Sequence, residues 1–93
     1  MEEIEIRDLA TGDAGWVLMR HGELYAADEG YDQQFEAVVA GILAGFIENR
    51  VPERERAFIA WRGGKRVGSV FCVEGSAQDM AKLRLFLVEP EAR

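Results

Sequence analysis

Apolar residues along this chain follow two kinds of spacing, and the changes between them divide it into elements. In "EIEIRDL", residues 3–9, Ile4, Ile6 and Leu9 are set against Glu3, Glu5 and Arg7. A period of two predicts a strand. "ATGD" follows, where Thr11 or Asp13 can accept from the free amides that open a helix. Over residues 14–27 the apolar stripe is Val17, Leu18, His21, Leu24 and Tyr25, the spacing of one helix face. Gly22 weakens that helix by up to ~1 kcal/mol relative to alanine, and Gly30 is placed to end it. A second helix is predicted over residues 33–49, with Asp32 as its N-cap. Its stripe of Phe35, Val38, Val39, Ile42, Leu43 and Phe46 is the clearest periodicity in the chain. Ala37, Gly41 and Gly45 recur every fourth residue, which predicts a helix lying close on a sheet.

Pro52 and the charged "ERER" then break the chain. "AFIAW", residues 57–61, and "KRVGSVFCVEG", residues 65–75, are β-rich runs on either side of Gly63-Gly64. They predict a hairpin with a primed turn. "SAQD" connects to a last strand, "MAKLRLFLV", residues 80–88. There Lys82 and Arg84 alternate with Leu83 and Leu85, after which Phe86, Leu87 and Val88 are apolar without a break. The unbroken run predicts a strand end covered above and below. The element order is β-α-α-β-β-β. It predicts an α+β fold with a mainly antiparallel four-stranded sheet and two helices.

At 93 residues the chain is one small domain, able to bury about 60–65% of its extended surface. With 48% hydrophobic residues and two prolines it does not read as disordered. No apolar run approaches the ~18 residues of a membrane span. "MEEIEIRD" is acidic where a signal peptide is basic, so the cytoplasm is the expected location. Cys72, the single cysteine, excludes an internal disulfide, and in "VFCV" it reads as a buried structural thiol. The net charge of −6 is uneven: residues 1–49 hold eleven Asp/Glu and two Arg, residues 50–93 six Asp/Glu and nine Lys/Arg. An acidic total disfavours nucleic acid as the partner. No set of Cys, His and carboxylates has metal-ligand spacing.

The chain closes on "FLVEPEAR". Here the residues resemble the GNAT family of acyl-CoA-dependent N-acetyltransferases. The family's main motif is a strand ending Val-x-Pro-x-x-Arg, followed by Gly-x-Gly and a helix start. Val88, Pro90 and Arg93 match its first part. "GDAGWVLMRHGELYAADEGYDQQFEAVVA" is similar to acetyltransferase domains often fused to MarR-type regulators. The resemblance implies that residues 1–93 are the N-terminal half of such a domain, ending before the glycine-rich acetyl-CoA pyrophosphate loop. Such a loop binds phosphate through successive main-chain N–H groups and a helix N-terminus.

By resemblance Phe86, Leu87 and Val88 line the pantetheine arm and Arg93 begins the pyrophosphate loop. His21, Tyr25, Glu29 and Tyr31 are candidates for the amine acceptor's side, with the acidic "ADEG" loop drawing a cationic amine. The general base is unassigned, with Glu23, Glu29 and Glu36 open by location. Trp16 and Trp61 read as packing residues, and Arg54, Arg56, Arg62, Lys65 and Arg66 as a cluster around the hairpin.

The expected function is therefore the N-terminal portion of an acetyl-CoA-dependent N-acetyltransferase acting on a primary amine, the isolated chain being inactive and binding acetyl-CoA weakly or not at all. The alternative is a non-catalytic α/β module. In that case the free edge of strand four pairs with a second copy or with a complementing C-terminal half. A DNA-binding regulator is suggested only by the company similar domains keep.

Overall fold

In a computed structural model of the chain, residues 3–30, 32–51, 53–75 and 81–93 are described. The elements are β1 (Glu5–Asp8), α1 (Asp13–Glu29), α2 (Gln33–Asn49), β2 (Arg56–Arg62), β3 (Lys65–Glu74), β4 (Ala81–Val88) and a 3₁₀ turn, Pro90–Ala92. The order is the predicted β-α-α-β-β-β, and the class is α+β. Two compact units result: a sheet unit of Met1–Leu9 with Val51–Arg93, and a helical unit of Ala10–Arg50. Among the described residues no helix is long and apolar enough to cross a membrane.

The sheet unit is a meander of order β1-β2-β3-β4 with every neighbouring pair antiparallel. Gly63 and Gly64 have φ of 59° and 77°. Two successive positive φ values make the primed turn whose twist matches the flanking strands, and glycine adopts them without strain. The buried side chains of β2 and β3 are Ala57, Ile59, Val67, Ser69 and Phe71, joined by Leu87 of β4. Pro52 and the "SAQD" connection lie outside the described residues.

In the helical unit, α2 begins as its sequence predicts, with the Asp32 carboxylate accepting from Gln34 N at 3.0 Å. Gly30 closes α1 in the left-handed region, its N–H donating to Ala26 O. The start of α1 differs from expectation. Its N-cap is Gly12 at φ 94°. Asp13 is instead the first helical residue, and its carboxylate reaches back to Ala10 N at 2.7 Å. The helix also continues through Asp28 and Glu29, so "ADE" is its last turn and not a loop. Val39, Leu43 and Phe46 are the buried part of the α2 stripe, whereas Val38 is 59% exposed. A Cβ on Gly41 or Gly45 would meet nothing within 4 Å among the described residues.

His21 is the largest buried group of α1, 1% exposed. Its Nδ1 lies 2.8 Å from Val17 O, so Nδ1 carries the proton and donates. Nε2 is buried with no partner among the described residues. Burial pushes the imidazole pKa down, and the Val17 bond only partly opposes it. The native state therefore resists a proton that the unfolded chain accepts near pH 6.5. Stability from this group is complete above about pH 6.5 and falls as pH drops through that value toward the lower native pKa. Thermal melts from pH 7.5 to 5.5 should show this decline and should lose most of it in His21→Gln. An unchanged slope in that variant would remove His21 as the cause.

Candidate functional site

The two faces of the sheet differ. Ala57, Ile59, Ser69, Phe71 and Leu87 lie on one face and are all at most 5% exposed. The other face carries Phe58 opposite Val70, and Ala60 opposite both Ile6 and Gly68, with Val88 next to Gly68 on β4. These residues and Phe86 line a shallow apolar cleft of about 230 Å³. Ile6 and Phe86 are each 61% exposed at its two sides. Gly68 forms the floor: a Cβ there would lie 2.9 Å from Leu87 O. β3 and β4 approach this closely only because position 68 has no side chain.

Among the described residues β4 borders the cleft as an edge strand, paired on one side only. It is also irregular. Ser69 faces Leu87 and Phe71 faces Arg84, so one residue of β3, Val70, spans two of β4, Leu85 and Phe86. This is a β-bulge. Leu85 within it has φ 50°, the only non-glycine positive φ in the described chain. A leucine in the left-handed region is strained by about 1–2 kcal/mol. The Ser69 hydroxyl donates to Leu85 O at 2.7 Å.

The bulge changes the reading of "FLV". Phe86, Leu87 and Val88 are not covered above and below. Leu87 is buried, Phe86 is exposed on the open face, and Val88 is half-buried at the cleft. The strand then passes through Glu89, whose N–H donates to Val67 O at 2.8 Å, into the 3₁₀ turn. Arg93 turns back from that turn and its Nε donates to Val88 O at 3.0 Å. Phe86, Leu87, Val88 and Arg93 thus come together at one end of β4.

His21 and Tyr25 come together within the helical unit. Their rings meet edge to face, centroids 5.6 Å apart, and Tyr25 contacts Phe35 at 5.3 Å. Tyr31 and the Glu29 side chain lie outside the described residues. Glu23 is paired with Arg20 at 2.8 Å. Glu36 lies against α1, close enough that a Cβ on Gly22 would meet its side chain at 2.9 Å.

The predicted arginine cluster separates into two groups at opposite ends of β2. Arg54 pairs with Glu74 at 3.2 Å and Arg56 with Asp8 at 2.7 Å. At the hairpin end Arg62 donates to Glu91 O, while Arg66 and Arg7 stack on Trp61 at 4.8 and 4.7 Å. Cys72 is half-buried rather than buried, opposite Leu83 and Arg56. Among the described residues no three metal-ligating side chains are grouped to hold an ion.

Sequence reasoning missed Ser69, Gly68 and Leu85. A G1-type bulge is normally announced by a glycine, and here that place is taken by a leucine. Compared with protein-family models, curated proteins and solved structures, the chain gives no match.

Proposed function

We propose that this chain is the N-terminal portion of an acetyl-CoA-dependent N-acetyltransferase that, in its complete form, acetylates a primary amine. The observation that carries the reading is the bulged edge strand beside an apolar cleft. An extended, amide-containing arm needs an apolar wall and main-chain groups that are free to pair. Phe86 and Val88 form such a wall, and the unpaired side of β4 offers the main chain. The missing Cβ of Gly68 gives the cleft its depth. These features fit a pantetheine arm.

Acetyl-CoA, when bound, supplies an activated acetyl group. This chain's own residues hold the arm and keep water from its apolar stretch. Arg93 adds a positive charge at the strand end, where the diphosphate would follow. No carboxylate is assigned as the base that accepts the amine's proton.

The test is an amide-resolved NMR titration of the 93-residue chain with pantetheine and, separately, acetyl-CoA. Pantetheine should shift the amides of Phe86, Leu87 and Val88 with a Kd on the order of 0.1–1 mM, as suits a small arm held without its phosphates. No response at 85–88 in 5–10 Kd of pantetheine would defeat the reading. Submicromolar acetyl-CoA binding would show that the phosphate site is already present.

A second reading is favoured by a different observation. Ile6, Leu83 and Phe86 are each more than 60% exposed. Ile6 and Phe86 flank one apolar cleft, and exposed apolar surface on a sheet is a site of association. The chain would then be a non-catalytic module pairing through the β4 edge with a second copy or a complementing half. Sedimentation decides it: a monomer at tens of micromolar removes self-association.

A further inference from the structure

We propose that Ser69 is the positioning residue of this site: its hydroxyl clamps the β4 bulge and so sets Phe86 at the cleft wall. Continued one for one from Phe71↔Arg84, the pairing would set Leu85 against Val70, Phe86 against Ser69 and Leu87 against Gly68. A one-residue change of register sends each side chain to the other face. Phe86 would then enter the buried face and Leu87 would crowd the Gly68 floor. The extra residue prevents both, leaving Phe86 61% exposed and Leu87 4% exposed.

The sequence does not favour the conformation that achieves this. Leu85 is branched, carries a Cβ and stands at φ 50°. Something must hold its peptide group there. Ser69 is 5% exposed, set between Ile59 and Leu87 on the buried face, and its hydroxyl bonds Leu85 O at 2.7 Å. A buried hydroxyl is retained at such a place only with a partner. The partner here is the carbonyl whose direction defines the bulge. The hydroxyl therefore acts on any ligand at Phe86 through the strand.

The clamp stands on geometry alone, and its bearing on a pantetheine arm rests on the function proposed above. The experiment separates the two. Leu85 is followed by the strong intraresidue amide-to-Hα NOE that marks positive φ, and Leu87 by amide exchange. In Ser69→Ala the NOE should weaken to a strand value. Phe86 should show cross-strand NOEs to position 69. Exchange at Leu87 should rise roughly tenfold, the size of one lost buried hydrogen bond. Ser69→Thr keeps the hydroxyl and should retain the parent's NOE and exchange. Leu85→Gly removes the strain, so Ser69→Ala placed in that background should keep the bulge. It also supplies the comparison if Ser69→Ala alone does not fold.

A Ser69→Ala chain that keeps the Leu85 NOE and parental exchange overturns the proposal, as does loss of the bulge in Ser69→Thr. Pantetheine shifts at Phe86 should fall in step with the bulge. Should the bulge respond as described while the parent chain ignores pantetheine, the clamp stands and the acetyltransferase reading falls.

Discussion

Phe71→Ala is expected to remove about 3–5 kcal/mol of folding free energy, the usual cost of deleting a fully buried ring. Phe71 is 1% exposed at the middle of β3, with Ala57 facing it on β2 and Arg84 on β4. Ala57 is too small to move into the space the ring would leave. A chain of 93 residues has only about 5–10 kcal/mol to lose. Roughly a third or more of the stability would go, and the urea midpoint should drop by about 3–5 M, taking a slope near 1 kcal/mol/M. Fluorescence-detected urea melts, read through Trp16 and Trp61, measure it. A drop below about 1 M would mean that Phe71 is not the centre of the sheet's buried face.

Gly68→Val is expected to be the second largest loss, and its partner experiment is Gly22→Ala. In both places an added Cβ would come within 2.9 Å of another atom, but the atoms differ. At Gly68 the obstacle is Leu87 O, part of the neighbouring strand's main chain. It cannot rotate aside, so β3 and β4 must separate, at the about 1–3 kcal/mol typical of overpacking. Valine's preference for strands, under about 1 kcal/mol, does not offset this. At Gly22 the obstacle is the Glu36 side chain, which is exposed and swings away. There alanine should be neutral or stabilising by up to about 1 kcal/mol. The same melts compare the two. Equal effects of the same sign would refute the distinction between main-chain and side-chain obstacles. Gly68→Val should also fill the cleft and abolish the pantetheine response at Phe86.

What the sequence disclosed was mostly what short-range chemistry decides. Asp32 caps α2 and Gly30 ends α1 through neighbours only a few residues away. The Gly63-Gly64 turn needs nothing beyond its own φ angles. Where two distant segments share the decision, the sequence misled. "FLV" reads as a strand covered on both sides because its alternation fails at Phe86. The failure is a phase change caused by the extra residue in β4. The hydroxyl that supports it lies sixteen positions away on β3. Asp13 was legible as a helix-start residue, but which amide it would satisfy was not. Of the candidate site, the apolar end of β4 and Arg93 were readable. The cleft was not, because its walls come from all four strands.

The meander also has a kinetic consequence. β2, β3 and β4 are sequential neighbours, and β2–β3 closes over two residues. β1 meets β2 only across the whole of Ala10–Arg50. Closing that loop costs about 3 kcal/mol more in chain entropy than closing the hairpin. β1 is four residues long and wholly exposed, so little packing repays that cost. It should therefore join last during folding and leave first during thermal opening. When it leaves, "RAFIAW" becomes an unpaired edge with no proline and a single charge, the kind of segment that seeds intermolecular strand pairing. The thin first strand is thus a guard against aggregation, and its rate of opening sets how often the chain is vulnerable.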